Sequence, residues 1–354
     1  MATSLKILAI GDQHFESKNE TETLLMCQKI YDIIVNEQPD IVVSLGDTLH
    51  THGLIHMNPY KRAIDFFFQM SQMVKHLYII VGNHERNSNQ NFLTDESPFV
   101  ACKTWKNTTV VDNVTIHKDD NHSIVLVPYV PVGRFMEALA TKDITPENIN
   151  TYSLFFAHQE FKGARMGAIV STHGDEWNPD YPLCISGHVH DYQVIQTNMI
   201  YPGTPLQLSF GSAPSKGVMM IRLKSIESKS DSIESKPSYE FIDLALPRKL
   251  IVHLTPEQLS TYQPPENASI KIVCKGDSKA IREVTKLDSV KEMLKNPRVK
   301  LSIQEDRQKK NLDGSVIIAA KTESVPFQKR LYSSILSQNE EVQNIFKSLF
   351  GEIQ

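Results

Sequence analysis

Short runs of apolar residues recur along the first half of the chain, and each run is followed by a polar segment. The runs lie at residues 5–10, 41–45, 77–81 and 153–156. Their length and nearly unbroken apolarity predict strands that are buried on both faces of a parallel sheet. Apolar positions at helical spacing predict helices over 21–37 and 58–75, the first ending before Pro39. The alternation of strands and helices predicts βαβ crossovers and an α/β fold.

The polar segments that follow these strands contain the residue types that bind metal ions. In chain order they are Asp-Gln-His at 12–14, Gly-Asp at 46–47, Gly-Asn-His-Glu at 82–85, Ala-His-Gln at 157–159 and Gly-His-Val-His at 187–190. Ligands of α/β sheets bind at the carboxyl ends of the strands, so we expect these side chains to meet at one edge. A single histidine of this kind is usually a core residue, but five segments in this order favour a two-metal hydrolase.

Beyond residue 100 the helical patterns become rare and short strands predominate. We predict strands, some of them antiparallel, at 108–111, 123–128, 199–201, 217–223 and 239–244. Residues 1–250 therefore form one predicted domain. Prolines mark a linker at 251–265, and a small α/β domain follows at 266–320. The last segment, 321–354, carries an apolar stripe at helical spacing, which either packs on its own domain or meets a partner helix.

The composition is that of an ordinary globular protein. Of the 354 residues, 40% are apolar and 22% charged, and no apolar run approaches the roughly 20 residues of a membrane span. No secretory signal pattern is present, and the four cysteines are too far apart for a disulfide framework or a zinc finger. We therefore expect a soluble intracellular protein, in the cytoplasm or nucleus, neither secreted nor membrane-bound. The net charge of −4 argues against binding to nucleic acid by bulk electrostatics but leaves DNA open as a substrate.

The order of the five segments resembles the calcineurin-like metallophosphoesterases over residues 5–210. The resemblance implies a four-layer α/β/β/α sandwich with two divalent metal ions at the strand ends, Mn²⁺ first, with Mg²⁺ and Fe²⁺ as alternatives. Seven residues match the ligands of that family: Asp12, His14 and His190 for one ion, Asn83, His158 and His188 for the other, and Asp47, which bridges both. The family makes the residue at His84 a catalytic non-ligand that contacts the transition state or the leaving oxygen. A histidine suits that task because its pKa lies near neutral pH.

Three local features are similar to one branch of this superfamily, the SbcD-type DNA nucleases related to the meiotic recombination eleven protein. The segment 46–50 lacks the second Asp and the Arg of Ser/Thr protein phosphatases and instead ends in His50. In SbcD-type enzymes that histidine helps to present the phosphodiester, although a surface histidine is the alternative here. Residues 201–210 and 158–164 are also similar to segments of that branch. Lys162 and Arg165 could meet phosphates or be solvated surface charges.

The resemblance implies a Mn²⁺-dependent DNA exonuclease and endonuclease that acts in DNA break repair or recombination. It also implies a partner, a coiled-coil SMC-like ATPase of SbcC type, which the helical tail would bind, while the small capping domain orients DNA. A homodimer is left open. Two alternatives stay beside this interpretation. One is a phosphodiesterase that acts on nucleotides or other small phosphoesters, and the other is a scaffold subunit with a vestigial site.

Overall fold

The computed structural model describes residues 4–224 and 237–305. The strands are β1 (Leu5–Ile10), β2 (Ile41–Ser44), β3 (His76–Ile80), β4 (Thr108–Val111), β5 (Thr115–Lys118), β6 (Ser123–Val127), β7 (Leu154–His158), β8 (Arg165–Met166), β9 (Ile169–Val170), β10 (Cys184–Gly187), β11 (Gln193–Gln196), β12 (Met199–Tyr201), β13 (Gly217–Leu223), β14 (Ser238–Asp243), β15 (Arg248–Leu254), β16 (Ala268–Gly276) and β17 (Val299–Glu305). The α-helices are α1 (Glu20–Glu37), α2 (Met57–Met73), α3 (Phe135–Ala140), α4 (Pro256–Thr261), α5 (Ser278–Val284) and α6 (Asp288–Leu294). Three short 3₁₀ helices lie at Ser17–Asn19, Val100–Thr104 and Ile149–Thr151.

The first six-stranded sheet has the order β14-β13-β1-β2-β3-β4. Strands β1 to β4 are parallel, whereas β13 pairs antiparallel with β1 and β14 pairs antiparallel with β13. Helices α1 and α2 connect the first three strands, as the apolar pattern predicts. Helix α1 ends where Gln38 adopts a left-handed conformation, with φ 50°, directly before Pro39. The βαβ connections therefore direct the carboxyl ends of β1, β2 and β3 to the same edge.

The second six-stranded sheet has the order β11-β12-β10-β7-β6-β5. Its four central strands are parallel, and antiparallel strands flank them on both sides. Strand β7 is buried at all five of its positions, as expected for a strand covered on both faces. Strands β7 and β10 are neighbours in register, with Gly187 opposite His158. Their carboxyl ends therefore deliver residues side by side.

The two sheets pack face to face, with helices on both outer faces. One core cluster contains side chains of both sheets, such as Ile7 and Val43 from the first and Phe156 and Ile185 from the second. A second cluster joins the first sheet to α1 and α2, and a third joins the second sheet to α3. These layers form the four-layer α/β/β/α sandwich that the resemblance implies. No helix within 4–224 and 237–305 is long and apolar enough to cross a membrane.

A small three-stranded parallel sheet, β15-β16-β17, follows the sandwich in sequence, with α4, α5 and α6 packed on one face. The prediction of a linker at 251–265 is wrong, because these residues contain the end of β15 and all of α4. Pro256 does not break the chain here. It occupies the first turn of α4, where Thr255 and Gln258 form a capping box. The division of the chain into domains stays a prediction.

Lys249, near the start of β15, ties the small sheet to the sandwich. Its Nζ donates to Asn19 Oδ1 at 2.9 Å and lies 3.9 Å from Glu22 Oε1. Its backbone nitrogen donates to Gln207 Oε1 at 2.7 Å. The predicted helical tail at 321–354, and the part of the predicted capping domain beyond residue 305, lie outside the described residues.

Candidate metal centre

Five loops converge where the two sheets meet, and they carry all seven predicted ligands. The loops after β1, β2 and β3 bring Asp12, His14, Asp47 and Asn83 from the first sheet. The end of β7 and the loop after β10 bring the remaining three from the second sheet: His158, His188 and His190. All but His190 are buried or nearly so, although these are polar residues. Buried polar side chains need hydrogen-bond or ionic partners.

The backbone at three of these positions is unusual. His14, Asp47 and His188 have φ angles of 47°, 47° and 86°, in the left-handed region that residues other than glycine rarely adopt. Such conformations carry a cost and concentrate at functional sites. Close approach is also required nearby: a Cβ on Gly11 would lie 1.9 Å from the carbonyl oxygen of Gly203. The backbone therefore leaves regular secondary structure at these positions and turns the side chains toward the place where the loops meet.

Asp47, His158 and His188 form a group whose ligand atoms all lie within 4.8 Å of one another, close enough to hold a metal ion. His158 Nε2 lies 3.2 Å from Asp47 Oδ1. Asn83 joins the same group, because its Oδ1 lies 3.0 Å from His158 Nε2 and 2.9 Å from His188 Nδ1. His158 Nδ1 donates to the carbonyl of Leu45 at 2.7 Å, which leaves Nε2 facing the group.

The other three predicted ligands lie beside this group. His14 Nε2 and His190 Nε2 are 2.9 Å apart, so two imidazole nitrogens point at one place. Asp12 Oδ1 accepts a hydrogen bond from the backbone nitrogen of His188 at 2.8 Å. Asp12 Oδ2 and His14 Nδ1 are buried and have no hydrogen-bond partner among the described residues. A buried carboxylate oxygen without a donor is costly, and a cation would satisfy it.

Burial lowers the pKa of His14 well below its usual value and lowers the pKa of His188 to about 4. Both imidazoles are therefore neutral at pH 7 and have a lone pair for a metal ion. Burial opposes ionisation of Asp47, but His158 and two further histidines hold the pKa of this carboxylate well below its usual range. Burial likewise disfavours the charged form of His158, yet Asp47 and Asp12 raise its pKa to about 9. Burial raises the pKa of Asp12 to about 7.

Glu85 is a buried carboxylate to which the sequence assigned no role. Its Oε2 accepts from the backbone nitrogens of Asp47 at 3.0 Å and Gly82 at 2.9 Å, and its Oε1 accepts from Leu49 at 2.9 Å. Burial, and next the charge of Asp47, raise the pKa of Glu85 to about 8. Glu85 thus ties the loop after β2 to the loop after β3. The signal in the sequence is its position directly after Asn-His, but nothing there shows which amides it meets.

The two predicted catalytic histidines lie at the rim of the group. His84 Nδ1 lies 2.6 Å from the carbonyl oxygen of His50 and donates to it, while Nε2 lies 3.6 Å from Asp47 Oδ2. The His50 ring is 5.3 Å from the His14 ring, and its Nε2 lies 3.8 Å from Glu16 Oε2. Cavities of about 260 Å³ and 240 Å³ open beside them, the first lined by His50 and the second by His84. Both histidines therefore face space that a substrate can enter.

Lys162 and Arg165, the two candidates for phosphate binding, are not brought to the ligand group. Lys162 Nζ pairs with Glu176 at 2.7 Å, and both side chains are exposed. Arg165 is exposed on β8, where Gln193 bonds its backbone. Within the described residues, no contact joins either side chain to the seven predicted ligands. The surface-charge interpretation fits these two residues better.

Comparison with known proteins agrees with the fold and the site. The two sheets, the converging loops and the group that can hold a metal ion define a metal-dependent phosphoesterase. A family model described as calcineurin-like phosphoesterase matches residues 5–192. The chain belongs to the calcineurin-like phosphoesterase family. The seven ligand assignments and the number of ions remain predictions.

Two viral proteins are similar to most of the chain. "Putative phosphoesterase 244L" of Invertebrate iridescent virus 6 is 37% identical over 286 residues, which are 79% of this chain and 97% of that protein. "Putative phosphoesterase 078R" of Invertebrate iridescent virus 3 is 36% identical over 279 residues, 77% of this chain and 76% of that protein. Among solved structures, the calcineurin-like phosphoesterase YfkN from Bacillus subtilis has a TM-score of 0.39 at 14% identity, covering 69% of this chain and 92% of its own.

Proposed function

We propose that the protein is a Mn²⁺-dependent DNA nuclease of SbcD type that hydrolyses phosphodiesters with two divalent cations. Carboxylate, amide and imidazole donors of this kind suit Mn²⁺, Mg²⁺ and Fe²⁺. One cation would be held by Asp12, His14 and His190, and a second by Asn83, His158 and His188, with Asp47 between them. The partnerless Asp12 Oδ2 and the neutral imidazole of His14 support this assignment.

Two divalent cations supply a nucleophile at neutral pH and neutralise the oxygens of a phosphodiester. The residues of this chain do the rest. The carbonyl of His50 accepts the Nδ1 proton of His84, so Nε2, 3.6 Å from Asp47 Oδ2, is the atom that can face a leaving oxygen. When that nitrogen is protonated, it donates to the oxygen as the bond to phosphorus breaks. Burial lowers the pKa of His84, and the nearby carboxylate of Asp47 opposes this effect.

Lysines on the small sheet and beside His50 support the choice of DNA over a small phosphoester. Lys271 and Lys300 are cross-strand neighbours on the face of the small sheet that lies opposite its helices. Lys300 and Lys18 both lie near enough to Lys249 to contribute to its lowered pKa, although burial is the larger cause. Lys18 Nζ lies 2.7 Å from Glu16 Oε1, and Glu16 Oε2 lies 3.8 Å from His50 Nε2. Glu16 and Glu22 offset part of this positive charge.

A small phosphoester would need only the metal centre and an adjacent cavity. A DNA strand is a row of phosphates, and lysines spaced along a path are the means by which proteins hold it. Lysines on the small sheet as well as beside His50 therefore support the proposal of a polymeric substrate. The net charge of −4 does not oppose this proposal, because the positive charge is local.

The experiment compares two substrates and two variants of the full chain. Purified protein with Mn²⁺ should cleave labelled DNA as well as bis-p-nitrophenyl phosphate. Lys300→Glu should raise KM for DNA severalfold and lower the salt slope of DNA binding by about one, while hydrolysis of the small ester stays the same. Lys291→Glu, on a helix of the opposite face, is the matched control. Turnover of the ester with intact DNA would instead identify a phosphodiesterase of small substrates.

We further propose the cellular role that the resemblance implies, which is DNA break repair or recombination beside an SMC-like ATPase. Its support is the order of segments along the chain, with an apolar helical pattern at 326–354 after the small α/β unit. Deletion of 326–354 should abolish binding to such an ATPase and leave ester hydrolysis intact. If the truncated protein is insoluble, that segment belongs to the core, and the docking proposal is wrong.

A further inference from the structure

The loop between β2 and α2 contains a histidine that neither the metal centre nor the proposed nuclease mechanism uses. The ring of His52 lies over the ring of His84, with centroids 3.8 Å apart and an interplanar angle of 39°. His52 is exposed, whereas 17% of the His84 side chain is accessible. His52 contributes no atom to the group that can hold a metal ion. Its described ring contact is with His84 alone.

Besides Asp47, three residues contact the His84 ring, and the loop after β2 supplies two of them. The His50 carbonyl accepts from Nδ1 at 2.6 Å, and the His14 and His84 rings are nearly perpendicular, with centroids 4.8 Å apart. The exposed ring of His52 is the third contact of the His84 ring. A single hydrogen bond leaves an imidazole free to tilt about its side-chain torsions, and a ring packed on its face removes much of that freedom.

We propose that His52 is a positioning residue that keeps His84 Nε2 aimed at the leaving oxygen of the substrate. The inference rests on the proposed function, in which His84 contacts that oxygen. It adds a residue that acts through His84 rather than on the substrate. Three groups around His84 then set its geometry, and the flat ring of His52, rather than its charge, is what the position requires.

The nature of the leaving group provides the test. p-Nitrophenolate is a stable anion that departs without a proton, whereas the sugar oxygen of DNA needs one. His52→Ala should therefore lower kcat on DNA by about tenfold, with little change in KM, and change hydrolysis of bis-p-nitrophenyl phosphate less than twofold. Loss of a metal ion would instead reduce both activities, so the ratio of the two rates separates the causes.

Two variants and a double-mutant cycle sharpen the result. His52→Phe keeps a flat ring and should restore most of kcat on DNA. Met57→Ala, at the end of the same loop, is the matched control and should behave as wild type, because Met57 is 79% exposed and lines neither cavity. In a His84→Ala background, His52→Ala should have no further effect, because the two residues act as one unit.

Three results would overturn the inference while the wild type cleaves DNA. These are equal losses on both substrates for His52→Ala, a His52→Phe variant as slow as His52→Ala, and additive losses in the double variant. A wild type that leaves DNA intact under Mn²⁺ would instead refute the proposed nuclease function, and the inference would fail with it. The rate of the wild type therefore separates the two failures.

Discussion

Removing the Glu85 side chain should destabilise the protein and disorganise its metal centre together. Three backbone amides, those of Asp47, Gly82 and Leu49, donate to this buried carboxyl group. Each buried amide left without an acceptor costs about 1–3 kcal/mol, and entering water recovers part of that loss. Glu85→Ala should therefore lower the free energy of unfolding by roughly 3–5 kcal/mol. Glu85→Gln keeps one acceptor oxygen and should lose roughly 1–2 kcal/mol.

Urea denaturation in the presence of a chelator measures this loss without a contribution from bound cations. Glu96→Ala removes an exposed carboxylate whose described bond is to Asn87, at 3.1 Å, and is the matched control. It should stay within about 0.5 kcal/mol of the wild type. A Glu85→Ala protein within about 1 kcal/mol of the wild type would refute the reasoning, since the three amides would then have found other acceptors.

Three further predictions concern the metal centre itself. Asp47→Asn should weaken divalent-cation binding and phosphodiester hydrolysis together, on the order of 100-fold or more, and calorimetry beside kinetics checks whether both fall. His84→Ala should retain cation affinity but lose about 10²–10⁴-fold in kcat, and an equal loss of bound metal would contradict its role as a non-ligand. Cation affinity should rise with pH, because below their pKa values of about 7 and about 9 Asp12 and His158 hold protons that a cation must displace. Titrations from pH 6 to 9 should show roughly a tenfold gain per pH unit for each released proton, and a flat profile would contradict this prediction.

The strands and the gathering of the candidate site could be predicted because both follow from local patterns. Buried parallel strands need nearly continuous apolar runs, and predicted strands such as 108–111 and 217–223 match the observed bounds. Each run ends in a polar segment, and the geometry of α/β sheets then directs those segments to one edge. The four-layer arrangement came from the resemblance, since periodicity does not show that a second sheet covers the first.

The features that were missed depend on contacts between distant segments. Strand β15 was assigned in part to a linker, because prolines near residue 256 are typical of loops. Only the structure shows the capping box around Thr255 that begins a helix there. The role of Glu85 depends on three amides whose meeting no sequence pattern records. The contact of His52 with His84 joins residues from two loops. For Lys162 the sequence left phosphate binding and solvated surface charge open, and only the fold shows its pairing with Glu176.

The predicted metal centre is complete only after residue 190 has been synthesised, because its predicted ligands include His14 and Asp47 from the first sheet and His158, His188 and His190 from the second. A cation bound by residues of both sheets would hold the two halves of the sandwich together and oppose their separation. A partly synthesised protein, or one cut between the two sheets, would then not hydrolyse phosphoesters. Activity would appear only after both sheets had formed.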